Sequence, residues 1–133
     1  MLKQVIIVRK DLHMRMGKVA SQCAHASMKC LLDLNYAPKN FRSNVLWNDE
    51  VSFKINIIDE WLINLFTKIV VYVNSEKELL DIYNKAKHEK MICALIEDSG
   101  LTEFNGVKTL TCCAIGPDYN EKINEITGHL PLL

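Results

Sequence analysis

The sequence lacks most of the features that assign a protein to a class at first sight. It has only five glycines and three prolines in 133 residues, and it contains no internal repeat and no low-complexity tract. Its longest apolar runs, such as Ile69–Val73, fall far below the roughly 20 residues that a bilayer-spanning helix needs, and no signal peptide precedes them. With 15.2 kDa and 49% hydrophobic residues, residues 1–133 are expected to fold as a single domain with a real core.

The cysteines form neither a disulfide framework nor a zinc site. They are odd in number and contain no C-x-x-C pair: Cys23, Cys30, Cys93, Cys112 and Cys113. We interpret them as free thiols that act as small apolar filler in a reducing compartment, so the cytoplasm is the expected location. Adjacent Cys112 and Cys113 should point to opposite faces of a strand.

Recognised motifs for metals and nucleotides are missing as well. The four histidines, at positions 13, 25, 88 and 129, show no H-E-x-x-H or similar spacing, and there is no G-x-x-x-x-G-K-[ST] loop. Cys23 and His25 lie two residues apart on a predicted helix, about 200° around its axis, so they cannot act together as nucleophile and base. The sequence therefore implies neither a metal nor a cofactor.

The absence of net charge conceals an uneven distribution. Residues 1–46 hold eight basic and two acidic residues, whereas the remainder holds eight basic and fourteen acidic residues. A basic segment in a neutral protein is typical of one face that meets a polyanion, with an ordinary charged surface as the alternative.

Strands and helices alternate along the chain. Val5–Val8 is a continuous β-branched run, typical of a strand that is buried on both faces. The apolar spacing predicts further strands at 68–74, 91–97 and 109–115, and helices at 17–34, 55–66, 76–88 and 118–126. Ser75 and Glu78 are expected to form a capping box, and Asn105-Gly106 predicts a tight hairpin. The last strand is expected to stop at Gly116-Pro117. Residues 36–54 are expected to be a surface insertion. The pattern predicts an α/β fold, a three-layer sandwich whose mixed sheet has helices on both faces.

A polar stripe on the first helix is the first candidate site. Lys18, Gln22, His25 and Lys29 follow one another at intervals of four, three and four, so they are expected to share one face, opposite the apolar stripe. An exposed helix ordinarily carries polar residues there, which is the alternative. Arg15 and Gly17 mark the helix start, where free backbone N–H groups favour an anion.

Asp98 is the second candidate. It lies just past the end of a predicted strand, near Gly100 and Thr102, and this strand is expected to run beside the first one. Ligands usually bind at that edge of an α/β sheet. A turn-forming aspartate is the alternative.

These residues resemble the archaeal- and eukaryotic-type peptidyl-tRNA hydrolases. The matching segments are Gln4–Leu12 with Met14, residues 17–26, the Leu95–Gly100 strand end with Thr102, residues 115–117, and residues 127–130. The combination of K-x-x-x-Q-x-x-H, D-x-G-x-T and T-G-H-L is specific and extends over almost the whole chain. There are two departures: Leu101 stands where the family commonly has Arg, and the 36–54 connection is longer than usual.

The resemblance implies a four-stranded mixed sheet between helices, a homodimer, and cofactor-free hydrolysis at the acceptor end of peptidyl-tRNA. No membrane partner is expected. It carries catalytic roles to Lys18, Gln22, His25, Asp98 and Thr102. Substrate contacts are expected from Arg15, Gly17, Lys29, Ser99, Gly100, Gly116 and Pro117.

The residues fit a mechanism in which a positioned water attacks the ester. Asp98 or His25 would deprotonate the water, and Lys18, with Gln22 or backbone N–H groups near Gly100, would stabilise the oxyanion. The alternatives are a non-catalytic tRNA-acceptor-binding or protein-interaction module of the same fold, and an esterase that acts on another aminoacyl-tRNA.

Overall fold

Four strands form a mixed sheet with helices on both faces, in a computed structural model that describes residues 1–42 and 47–133. The strands are β1 (Leu2–Arg9), β2 (Lys68–Val73), β3 (Cys93–Asp98) and β4 (Thr109–Tyr119). The helices are α1 (Met16–Leu32), α2 (Asp49–Ile63), α3 (Glu76–His88) and α4 (Asn120–Thr127), and short 3₁₀ turns occupy Lys10–Leu12 and Lys39–Phe41. The predicted α/β three-layer sandwich is confirmed.

The strand order β2-β1-β4-β3 places β1 and β3 in the same direction without making them neighbours. β1 pairs with β2 in parallel and with β4 antiparallel, and β3 also pairs with β4 antiparallel. The carboxyl ends of β1 and β3 therefore lie on one edge of the sheet, with the start of β4 between them. The expectation that β3 runs directly beside β1 is wrong by one strand.

Each face of the sheet has its own apolar core. Val5 and Ile7 of β1 pack with α3 and α4, whereas Ile6 and Val8 pack with α1 and α2. Cys112 and Cys113 divide in the same way between the two clusters, as strand geometry predicts. The continuous apolar run of β1 is explained by burial on both faces.

β4 is longer than its sequence predicts. The strand passes through Gly116-Pro117 and ends at Tyr119, because the register with β1 shifts opposite Gln4 and the shift accommodates a proline that lacks an N–H group. Gly116 has φ +103°, and a Cβ atom there would lie 2.7 Å from the carbonyl oxygen of Lys3. The predicted stop at this dipeptide is wrong.

α2 begins earlier than its apolar spacing predicts. The side chain of Asn48 accepts a hydrogen bond from the N–H of Val51 at 2.8 Å, so the helix starts at Asp49 and ends at Ile63. Residues 49–54 are helical, which corrects that part of the expected surface insertion. Residues 43–46 of the same expectation lie outside the described residues.

α3 agrees with its predicted bounds, and its cap differs in one detail. Ser75 Oγ accepts the N–H of Glu78 at 3.1 Å, while the Glu78 carboxylate accepts the N–H of Asn74 at 2.7 Å instead of that of Ser75. None of the helices in the described part of the chain has the length and apolarity needed to cross a membrane.

The last residues of the chain lie along the open edge of β2. Tyr72 N–H donates to the carbonyl of Pro131 at 3.1 Å, and Leu133 N–H donates to the carbonyl of Val70 at 3.1 Å. Val71 and Leu132 form an antiparallel bridge between these bonds. This terminal segment thus acts as a short fifth strand.

Candidate active site

The ammonium of Lys18 lies at the edge where α1 begins and β3 ends. Its Nζ donates to Asp98 Oδ1 at 2.8 Å and to Thr102 Oγ1 at 2.9 Å. The Lys18 and Asp98 side chains are each 12% exposed, so the pair is partly shielded and still reachable. An ammonium has three N–H donors, and contacts within the described ranges use two of them. One donor can therefore serve a bound substrate.

The carboxylate of Asp98 is held on both oxygens. Oδ1 also accepts Gln22 Nε2 at 3.3 Å, and Oδ2 accepts the backbone N–H of Gly100 at 2.9 Å. The hydrogen bond from Lys18 lowers the pKa of Asp98 most strongly; partial desolvation opposes it, and the other two donors act in the same direction as Lys18. Asp98 is consequently an ionised and weakly basic group at neutral pH.

Gln22 is buried and faces the sheet. Its Oε1 accepts the hydroxyl of Thr111 at 2.5 Å, which directs the amide NH₂ toward Asp98. The expectation that the polar stripe lies opposite the core is wrong for this residue: Gln22 is 2% exposed, whereas Ala20 and Ala24 are exposed. Burial is tolerated because both ends of the amide are hydrogen-bonded. Sequence reasoning missed Thr111, whose hydroxyl is buried in β4.

His25 and Lys29 are not brought into the Lys18 cluster. His25 is exposed, and its side chain forms no hydrogen bond with any residue in the described ranges. Lys29 Nζ bonds both carboxylate oxygens of Asp33 at 2.9 Å. Lys29 also lies eleven residues from Lys18 along α1, about 16 Å.

The connection between β3 and β4 folds back on itself. Gly100 has φ +81°, and a Cβ atom there would lie 2.1 Å from the carbonyl oxygen of Val107. The N–H groups of Phe104 and Gly106 both donate to the carbonyl of Gly100, at 3.3 and 2.8 Å. The loop is therefore closed around a position that only glycine can occupy.

The predicted Asn-Gly turn is located at the tip of this loop. Asn105 and Gly106 have φ values of 51° and 76°, and the N–H of Val107 donates to the carbonyl of Phe104 at 2.9 Å. The antiparallel hairpin is confirmed, although the connection between its strands is longer than a two-residue turn. Ser99 is exposed within it.

A second ion pair joins this loop to the start of α1. Arg15 donates to the Glu103 carboxylate through Nε at 2.8 Å and through its backbone N–H at 3.3 Å. The hydrogen bond from the Arg15 side chain is the main cause that lowers the pKa of Glu103. The anion expected at this helix start, near the exposed Gly17, is thus supplied by the protein itself. Glu103 was not among the predicted site residues.

Gly116 and Pro117 lie at the opposite edge of the sheet. Thr109, at the other end of β4, pairs with Asp98, and seven residues of strand separate it from Gly116, about 23 Å. The carbonyl of Gly116 accepts Gln4 Nε2 at 3.2 Å, and its N–H donates to Ile92 at 2.7 Å. These contacts connect strands of the fold, away from Lys18.

Most of the basic residues in positions 1–46 are neutralised locally. Five of the eight form ion pairs: Arg9–Asp11, Arg15–Glu103, Lys18–Asp98, Lys29–Asp33 and Arg42–Asp59. Lys10 Nζ lies 4.4 Å from the centre of the Tyr72 ring. The distribution of net charge on the protein surface is therefore less uneven than the distribution of charged residues along the sequence.

The described ranges contain no group of three or more His, Cys, Asp or Glu side chains that could hold a metal ion. The chemistry available around Lys18 consists of its ammonium, the Asp98 carboxylate, the Thr102 hydroxyl, the Gln22 amide and backbone N–H groups. Such a set can orient a water molecule and stabilise a developing oxyanion.

Comparisons with known proteins show the family to which the chain belongs. A family model described as "Peptidyl-tRNA hydrolase PTH2" matches residues 2–133. The chain is 45% identical to a peptidyl-tRNA hydrolase of Methanocaldococcus jannaschii, over 99% of this chain and 100% of that protein. It is 39% identical to one from Nanoarchaeum equitans, over 99% of each chain, and 36% identical to one from Sulfolobus acidocaldarius, over 99% and 100%.

Proposed function

Because the chain belongs to the PTH2 family of peptidyl-tRNA hydrolases, we propose that it cleaves the ester of peptidyl-tRNA at the Lys18–Asp98 pair. The chain is a hydrolase that releases free tRNA and peptide. One observation carries the assignment of the site: Lys18, Asp98 and Thr102 converge within 2.9 Å at the sheet edge although eighty residues separate the first two.

Lys18 is proposed to stabilise the oxyanion. When the oxygen of water attacks the ester carbonyl carbon, negative charge develops on the carbonyl oxygen. The third N–H of Lys18 can donate a hydrogen bond to that oxygen without reorganisation, because Asp98 and Thr102 already hold the ammonium in place. The carbon–oxygen bond to the ribose then breaks and the peptide leaves as a carboxylate.

Asp98 is proposed to orient the water and accept its proton. A carboxylate with a lowered pKa is a weak base, but the ester to a ribose hydroxyl is already activated, so a weak and well-positioned base suffices. The proton then passes to the departing ribose oxygen. Water attack needs no covalent intermediate, and the carboxylate returns to its starting state.

Gln22 is proposed as a positioning residue. Its amide is buried between Thr111 and Asp98, so it acts on the substrate only through the carboxylate. Thr102 fixes the second donor of Lys18. These contacts support a preorganised site in which the reactive groups do not move during the reaction.

The test is a double-mutant cycle on turnover. Lys18→Ala and Asp98→Asn should each lower kcat by on the order of 10²-fold or more, as the loss of an oxyanion donor or a general base does. The double variant should be hardly slower than the poorer single variant, because the two groups act in one step. Single-turnover hydrolysis of N-acetylaminoacyl-tRNA would be measured, with aminoacyl-tRNA as the comparison substrate.

The matched control is the Lys77–Asp81 pair on α3. It has the same 2.8 Å separation and is exposed. Lys77→Ala and Asp81→Asn should leave turnover unchanged. Fully multiplicative losses of kcat at Lys18 and Asp98 would contradict a shared catalytic step. Faster cleavage of aminoacyl-tRNA than of the acetylated form would contradict peptidyl-tRNA as the substrate.

Assembly and location form the second part of the proposal. A homodimer in the cytoplasm, acting in ribosome rescue, is what the resemblance implies, since peptidyl-tRNA arises where ribosomes work. An apolar groove between α1 and the end of α2 supports a second copy as partner. Met28, Leu31, Leu62 and Phe66 line it, and Met28 and Phe66 are 64% and 46% exposed.

A further inference from the structure

Three apolar side chains belong to the loop that supplies Thr102 to the reactive ammonium, and none of them has a role in the cluster. Leu101 and Val107 are 83% and 63% exposed, and Phe104 is half-buried. All three belong to the connection between β3 and β4. We refer to Leu101, Phe104 and Val107 as the apolar wall. Single exposed apolar residues are common on protein surfaces. The relevant feature here is that these three occur together in the loop that also supplies Thr102 to Lys18.

The wall is close to Lys18. The ring centre of Phe104 lies 5.8 Å from Lys18 Nζ. Leu101 adjoins Thr102, whose hydroxyl is 2.9 Å from the same nitrogen, and Val107 is joined to Phe104 by a 2.9 Å backbone hydrogen bond. Phe104 therefore lies next to the ammonium, and Leu101 and Val107 belong to the same short loop.

The wall is also held in place. The carbonyl of Gly100 accepts two N–H groups from within the loop, and Glu103 joins the loop to Arg15 at the start of α1. A surface on such a loop can discriminate between ligands at a lower entropic cost, because the loop backbone is already ordered before the substrate binds.

We propose that the apolar wall binds the side chain of the peptide's last residue and makes the enzyme prefer large apolar residues there. The inference rests on the proposed function. That side chain begins two bonds from the ester carbonyl carbon, so an aliphatic or aromatic group extends about 5 Å from it, comparable with the distance from Lys18 Nζ to the Phe104 ring. The ribose and phosphates are polar and gain nothing from a hydrocarbon surface.

The terminal base fits the wall less well. Bases stack on aromatic rings or guanidinium planes, and they are read by hydrogen bonds to their edges. Leu101 and Val107 provide neither, and Lys18 Nζ is already positioned over the ring of Phe104. The amino-acid side chain is the part of the substrate that matches the wall in both reach and polarity.

The test uses one tRNA body charged with N-acetylated leucine, phenylalanine, glycine, aspartate or lysine. Wild-type kcat/KM should be roughly tenfold higher for leucine and phenylalanine than for glycine, the gain expected when an aliphatic side chain is buried. Leu101→Ala should reduce this preference. Leu101→Asp should abolish this preference, and it should raise kcat/KM for the lysine substrate several-fold relative to kcat/KM for the aspartate substrate.

Ile63→Asp is the matched control. Ile63 is also 83% exposed and lies at the end of α2, away from Lys18, so this variant should retain the wild-type order of substrates. The gain on the lysine substrate in Leu101→Asp is a result that misfolding cannot produce.

Two failures are distinguishable. Equal hydrolysis of all five substrates by the wild-type enzyme, or an unchanged order in Leu101→Asp, would overturn the role of the wall and leave the proposed function intact. Hydrolysis of none of the substrates would contradict the proposed function itself.

Discussion

At the scale of single residues, the site depends on how one carboxylate is surrounded. Asp98 accepts hydrogen bonds from an ammonium, an amide and a backbone N–H, so its charge is stabilised from three directions. Its lowered pKa follows from these donors, with Lys18 as the largest contribution. The same contacts prevent the carboxylate from turning away from the substrate.

The pH dependence of the reaction distinguishes Asp98 from His25 as the base. A group whose pKa is lowered stays ionised until the pH falls through that lowered value, so rate and the stabilisation from the pair should both persist at neutral pH and be lost only in acid. We expect kcat/KM to stay constant on the acid side of neutrality and to decline only below the ordinary carboxyl range. A histidine base would instead produce a limb near pH 6.5.

His25→Ala completes this test. The exposed His25 stands outside the cluster, so its removal should leave both turnover and the pH profile unchanged, and His88→Ala on α3 is the matched control. A limb near pH 6.5 that disappears only in His25→Ala would assign the base to His25. Wild-type and variant profiles measured on one N-acetylaminoacyl-tRNA decide between the two.

The residues of the site differ in how far they could be predicted. Lys18 and Asp98 could be placed together because a helix that follows one strand and the end of a codirectional strand meet at one sheet edge. Gln22 could not be oriented, because its partner Thr111 lies 89 residues away and only tertiary contact shows that a buried amide is satisfied. Glu103 gave no signal beyond being an acid in a loop.

At the scale of elements, the sequence pattern of α1 does not correctly separate its buried face from its exposed face. Gln22, Ala26 and Cys30 form its buried row. Because Gln22 is polar, the sequence predicts that it lies on the exposed face of the helix. The exposed residues include Ala24 and Met28, which border the groove toward α2. The early start of α2 was missed for a related reason: the cap of Asn48 is a local hydrogen bond in a segment that otherwise resembles a loop.

The groove between α1 and α2 leads to a prediction about assembly. If a second copy covers it, Met28→Asp should place a charge in a buried interface and convert a dimer of about 30 kDa into the 15.2 kDa monomer. Sedimentation equilibrium across a range of protein concentrations would measure the mass. Met16→Asp is the control, because Met16 is 87% exposed at the other end of the same helix. A dimer that persists in Met28→Asp would contradict this face as the interface.

At the scale of the whole molecule, ion pairing changes what the charge distribution means. The sequence alone predicts a strongly basic segment, yet five of its eight cations have carboxylate partners. Pairing across the fold cannot be deduced from positions along the chain. The layer order and the sheet edge that carries the site could be predicted, since alternating strands and helices allow few topologies.

The salt dependence of tRNA binding measures how many of these cations contact phosphates of the tRNA. Each neutralised phosphate contributes about −0.7 to −0.9 to the slope of log affinity against log salt. With most cations paired, we expect a slope no steeper than about −3. Lys10→Ala should make it shallower by about one unit, whereas Lys77→Ala should not change it. A slope near −6 would show that the ion pairs open when tRNA binds.

The terminal segment that pairs with β2 has a consequence for the behaviour of the protein in concentrated solution. An uncovered edge strand is a template on which another molecule can add a strand, and sheets that grow in this way become aggregates. Pro131 and Leu133 accept and donate the bonds that would otherwise be offered to a neighbour, and the proline has no N–H with which to extend the ladder. The final three residues thus protect the β2 edge of the sheet from the addition of a strand from another molecule.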